Sequence, residues 1–265
     1  MPPVERRADS RLLCFGSDGR LRFTDAPRGS VRFGGATFGE PWLVHGMFVT
    51  GSAGGRSVYA SFAHGLWFPA RLRRLDARGR LLEEYWSNGY VEQVAEVVWR
   101  GRKVLLVGGV GNDVKGGSLA IFDPPVAVGS APSATEEHRC HGCPDGGPAV
   151  RLTFPTMCLL RAAGGIATVV DAWTESPDRL TVGVLQGFAD AETRSEGIEV
   201  FYTFGPDLSL VHVEVTAEFL ARHTRLERRG QLDHAFGARD EADMFPVRLF
   251  DAAGVRVVKP VSVSR

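Results

Sequence analysis

The residues whose types and spacing could do chemistry begin with His138-Arg139-Cys140-His141-Gly142-Cys143-Pro144-Asp145. Cys-x-x-Cys lets two thiolates reach one tetrahedral Zn²⁺, and His138 or His141 would add a third ligand. His138, Cys140, His141 and Cys143 are therefore the expected metal residues, with zinc as the expected ion. A reversible disulfide and two ordinary loop cysteines stand as alternatives, because the set lacks a second ligand pair. The other thiol nearby, Cys158, lies in Met157-Cys158-Leu159-Leu160 and reads as a small core residue, as does Cys14 in Leu12-Leu13-Cys14-Phe15. Pro144 stands where haem attachment would demand histidine.

A second candidate is the glycine-rich run Val104 to Ser118, which carries Gly108, Gly109, Gly111, Gly116 and Gly117 with Lys115 and Ser118. A phosphate loop must open a helix, whereas Ser118 to Phe122 resumes as an apolar strand, so the run is expected to be a turn between two strands. Asn112 and Asp113 at its tip are candidate ligand-binding residues. Polar and aromatic residues at strand ends form the third group: His45, His64 and Trp67, then Tyr85, Trp86, Asn88 and Tyr90. Of these, His45, His64 and Asn88 join the expected ligand-binding set, since loops at strand ends carry function. Glu83-Glu84, Glu136-Glu137 and Asp240-Glu241 are adjacent carboxylates that a strand would point to opposite faces, and they are expected to be solvated. There is no Gly-x-Ser-x-Gly elbow, and no catalytic residue is nominated.

These groups need elements to position them, and the elements read as strands. Leu12 to Phe23, Ala70 to Leu82 and Val247 to Val257 each alternate apolar and polar residues around a Gly-bearing turn, the signature of a β-hairpin. Ser118 to Pro124 and Val200 to Leu210 repeat it more weakly. Trp42–Thr50, Ser57–Phe62, Val91–Trp99, Val104–Val107, Ala167–Trp173 and Leu180–Leu185 are further strand candidates rich in Val, Phe, Trp or Tyr. The expected fold is all-β, a β-propeller-like ring of about five blades with a β-sandwich as the alternative. One segment departs from strands. Thr216 can cap a helix starting at Ala217, with Phe219, Leu220, His223 and Leu226 near one face and Gly230 as its stop, and a short helix is expected over Ala238 to Asp243. Residues 11–258 are expected to form one domain with a helical insertion at 216–243, a long loop at 124–147 and tails at 1–10 and 259–265. Residues 247–258 are expected to pair with the N-terminal hairpin and close the ring.

Composition narrows the function. In 265 residues Lys+Arg 31 balances Asp+Glu 31, so no global field draws the chain to nucleic acid. Gly 32 and Pro 15, about 18% of the residues, stay below the level of low-complexity chains. No stretch has the apolar length of a membrane span or signal peptide, and a cytoplasmic location is expected. The repeated strand-turn-strand hairpins resemble propeller repeats of the FG-GAP/VCBS kind. Trp86-Ser87-Asn88-Gly89, Gly108-Gly109-Val110-Gly111-Asn112, Cys140-x-x-Cys143-Pro144 and Phe154-Pro155 are similar to a bacterial domain of this type seen in myxobacterial and acidobacterial proteins. The resemblance implies a propeller-like scaffold and a sensing or interaction role, without calcium, since Ser17-Asp18-Gly19 and Asp76-Ala77-Arg78-Gly79 keep only the turn of the FG-GAP loop. The expected function is a non-catalytic module binding a protein partner or small ligand. The alternative is a metal-assisted hydrolase or lyase on the same scaffold.

Overall fold

A computed structural model describes residues 10–52, 55–65, 68–161, 165–187, 198–244 and 247–264. Strands take 53% of the described residues and helices 10%, so the fold is all-β in class. Among the described residues the strands form five sheets and no closed barrel. The chain divides into two compact units, residues 1–91 with 127–147 and residues 92–126 with 148–265.

In the first unit, Leu43–Ser52, Gly55–Ala63, Ala70–Leu75 and Leu81–Ser87 form an antiparallel meander. Two smaller sheets accompany it, the hairpin Leu12–Phe15 with Leu21–Asp25 and a three-stranded sheet containing Val31–Phe33 and Ala36–Phe38. Val31, Phe33, Trp42, Ala60, Phe62 and Trp86 make a buried aromatic core. Alternation also places Arg71, Arg73 and Arg74 opposite Trp86, Glu84 and Glu83 across one strand pair. The Arg71 guanidinium packs 4.5 Å from the Trp86 ring centroid and bonds Glu84 at 2.6 Å, while Arg74 pairs with Glu83 and Arg73 with Asp25. Glu83 and Glu84 are thus ion-paired rather than solvated. The reason is register: neighbouring acids on one strand meet neighbouring arginines on the next. At the turn of this hairpin Asp76 accepts from the Arg78 and Arg80 backbone N–H groups and from Arg80 Nε.

The segment 124–147, read from sequence as a loop without strands, is pinned at two places. Gly129–Ser130 adds in parallel to Tyr85–Trp86, and Cys140–His141 pairs with Phe33–Arg32. Both strands are two residues long, too short for alternation to announce them.

The second unit holds two sheets. One runs Gly254–Val258, Val247–Asp251, Val150–Phe154, Gly116–Phe122, Arg102–Gly111, Val91–Trp99; the other runs Ala167–Ser176, Arg179–Gln186, Glu199–Phe204, Leu210–Val215, with Ser262–Ser264 added in parallel. Leu106, Leu119, Leu152 and Leu249 of the first share one core with Val169, Val182, Val200 and Tyr202 of the second. Burial pushes the Tyr202 hydroxyl pKa upward. The glycine-rich run is the hairpin Arg102–Gly111 to Gly116–Phe122, closed by a turn in which Lys115 N–H donates to the Asn112 carbonyl. A Cβ on Gly116 would stand 2.2 Å from the Phe154 carbonyl oxygen, so glycine there admits the neighbouring strand and cradles no phosphate.

Ring closure through the N-terminal hairpin does not occur. Val247–Asp251 pairs with Val150–Phe154 and with Gly254–Val258, and Leu12–Phe15 pairs only with Leu21–Asp25 among the described residues. The local pattern finds a hairpin but does not choose its neighbour.

Among the described residues the second unit has three α-helices: α1, Cys158–Arg161; α2, Ala217–Arg228; and α3, Ala238–Asp243. Thr216 Oγ1 accepts from the Phe219 N–H at the start of α2. At its end Gly230 (φ 66°) donates to the Glu227 carbonyl and Gln231 to that of Leu226, a complete Schellman motif. Both expected helices form with the expected starts and stops.

Candidate functional site

The helices bring together a set of side chains that the sequence does not announce. Cys158 opens α1 directly after Met157, whose N–H donates to Gln186 Oε1 at 2.9 Å. His223 lies on the buried face of α2 one turn after Phe219, with its ring 5.4 Å from Phe236 and 5.3 Å from His234. His234 comes from the connection between α2 and α3. Asp240 is the third residue of α3, and its Oδ2 accepts from the Gly237 N–H at 3.0 Å, capping the helix. One carboxylate oxygen is spent on local structure, which aims the other at the remaining groups.

That oxygen, Asp240 Oδ1, lies 3.1 Å from Cys158 Sγ, 2.9 Å from His223 Nε2 and 3.0 Å from His234 Nε2. The four donor atoms all fall within 4.8 Å of one another. His223 and Asp240 are fully buried, and the His234 side chain is 14% exposed. Burial raises the Asp240 pKa, but hydrogen bonds from Cys158, His234 and the Gly237 N–H together with the nearby His223 outweigh it and hold the carboxyl below its ordinary value. Behind His234, Asp233 Oδ1 sits 2.8 Å from Nδ1 and is bonded in turn by Arg239 Nη1 at 3.0 Å. The bond to Asp233, followed by that to Asp240, raises the His234 pKa, and His234 and Arg239 hold Asp233 down at about 2.

Chemically this is a thiol, two imidazole Nε2 atoms and one carboxylate oxygen facing a common point, the donor types that zinc selects. A tetrahedral zinc with bonds of about 2.0–2.3 Å separates its ligand atoms by roughly 3.3–3.6 Å, so Asp240 Oδ1 would withdraw by tenths of an ångström from its three neighbours while those three, which lie within 4.8 Å of one another, settle to the same spacing. The Asp233–His234 pair matches the carboxylate–histidine contact that orients a metal-bound imidazole. Cys158, His223, His234 and Asp240 are accordingly the residues that could hold a metal.

The residues expected from sequence are not part of this set. Cys140 and Cys143 are joined in a disulfide, which leaves no thiolate pair for an ion. His138 Nδ1 lies 2.9 Å from Thr135 Oγ1, and His141 Nε2 lies 2.9 Å from Glu136 Oε1. His45 stacks on Tyr90 at 4.6 Å, and His64 meets Phe38 and Trp42 edge-on at 5.3 and 5.6 Å. Asn88 is buried in the first unit, with neither amide atom hydrogen-bonded among the described residues. Asn112 and Asp113 belong to the second unit, where Asp113 is buried against Arg151. Trp67 lies outside the described residues. The Asp240-Glu241 pair is corrected at Asp240, which is buried instead of solvated because the α3 cap turns it inward.

No helix among the described residues is long and apolar enough to cross a membrane. No family model matches the chain, and no curated protein matches it.

Proposed function

We propose that this chain is a non-catalytic binding module in which Cys158, His223, His234 and Asp240 form a structural metal centre for Zn²⁺. The observation that carries this reading is the closed donor set: four zinc-type ligand atoms of the protein itself lie within 4.8 Å, two of their residues fully buried. Structural zinc sites take four protein ligands, whereas hydrolytic ones keep a position for water. A hydrolase or lyase at this centre would have to give up one of the four ligands. The hairpins resembling FG-GAP repeats support the same interaction role. For the scaffold, two sheets enclosing one core favour the sandwich alternative over radial blades in the second unit.

Metal analysis of the purified full chain tests the proposal. One zinc per chain is expected, with loss of the metal in Cys158→Ser and its retention in Cys140→Ser/Cys143→Ser. Substituting cobalt(II) should give a thiolate charge-transfer band that depends on Cys158 alone. A wild-type chain that takes up neither metal overturns the reading.

A further inference from the structure

We infer that metal binding and docking of residues 216–244 are a single event, so that the centre governs whether this segment lies on the second unit. The inference rests on the metal reading above and concerns what the metal does.

The distribution of ligands is the first ground. His223, His234 and Asp240 lie within the segment, whereas Cys158 lies outside it, on the helix that follows Val150–Phe154. An ion held by all four therefore ties the segment to the body of the unit. The segment's apolar content is the second. Phe219 and Met244 are fully buried and Leu220, Leu226, Leu232 and Phe236 partly so, but α3 reads Ala-Arg-Asp-Glu-Ala-Asp and offers the core no large apolar side chain. The sheets supply most of the shared core, Leu106, Leu119, Val182 and Tyr202 among others, and the segment adds Phe219 and Met244 to it.

Polar accounting is the third. Docking buries His223 and Asp240 completely, and a carboxylate oxygen with two lone pairs is here approached by a sulfur and two ring nitrogens. Such groups are costly to desolvate unless a strong partner compensates them, and a divalent cation coordinated by Nε2, Sγ and Oδ1 is that partner. Zinc binding thus adds to the free energy that the segment's apolar face supplies, and does so where α3 brings no large apolar side chain.

Hydrogen–deuterium exchange on the full chain tests this, comparing protein saturated with zinc and protein stripped with a chelator. The expected result is that amide protection in 217–228 and 238–244 falls at least 10-fold on stripping and returns when zinc is restored, while protection in Arg179–Gln186 and Gly116–Phe122 stays unchanged. Asp240→Asn should show the stripped pattern even with zinc present. Zinc bound at one per chain with unchanged protection in the segment overturns the inference and leaves the metal centre standing. Loss of protection throughout the second unit also overturns it, because the segment would not be separable. A chain that binds no zinc overturns both readings.

Discussion

The Arg151 guanidinium faces the Asp113 carboxylate through two bonds, Nη1 to Oδ2 at 2.8 Å and Nη2 to Oδ1 at 2.6 Å, and neither side chain is exposed. Arg151 Nε also donates to Ser118 Oγ at 2.9 Å, so the hairpin turn carrying Asp113 is bolted to the middle of its own sheet. Removing one partner leaves the other charge buried and uncompensated. Asp113→Ala is expected to destabilise the chain by about 3–5 kcal/mol, read from the urea midpoint. A loss below about 1 kcal/mol would show that water reaches the guanidinium and would contradict the burial argument.

The Cys140–Cys143 disulfide closes a ring with a sequence separation of 3. Chain-entropy reasoning assigns so small a loop about 2 kcal/mol. Cys140→Ser/Cys143→Ser should therefore lower the melting temperature by roughly 4–8 °C in calorimetry, with zinc content unchanged. Loss of zinc in this variant would return the metal to the loop and refute the centre at Asp240.

Asp233 touches His234 from the side away from the proposed ion, as a positioning residue. Asp233→Asn should weaken zinc about 10–100-fold in competition with a chelator of known affinity, while one zinc per chain still binds at saturation. Unchanged affinity would reduce the Asp233 contact to a surface ion pair.

Asp76 gives a pH dependence with a defined sign. Hydrogen bonds from the Arg80 backbone and side chain, and from the Arg78 backbone, lower its folded pKa to about 2. The unfolded value is about 3.9, so the group stabilises the hairpin fully above that pH and progressively less as pH falls through 2. The melting difference between the wild type and Asp76→Asn should be constant from pH 5 to 7 and shrink between roughly pH 4 and pH 2. A difference that grows on acidification would reverse the assignment.

Much of the fold is legible locally. Thr216 before Ala-Glu-Phe-Leu and Gly230 after Arg-Arg mark the bounds of α2 because caps are local chemistry. Val91–Trp99 forms over the span that its β-branched and aromatic residues mark. The division into two units escapes such reading, since nothing in a strand's pattern says which distant strand it joins. The metal candidates escape it for the same reason. Cys158 looks like a core thiol and Asp240 like half of a solvated pair, and 65 residues separate Cys158 from His223. One signal was present: His223 sits on the apolar face defined by Phe219, Leu220 and Leu226. A buried imidazole there must find a polar partner somewhere in the fold.

The insertion leaves the second unit from Leu210–Val215 of one sheet and re-enters at Val247–Asp251 of the other. Both of its ends are therefore fixed whether or not it is docked. Loop closure has already been met by the sheets, and its cost grows only slowly with length. His223, His234 and Asp240 consequently remain at high effective concentration around Cys158. Once Cys158 holds an ion, recruitment of the other three ligands is an intramolecular ring closure whose rate does not depend on protein concentration.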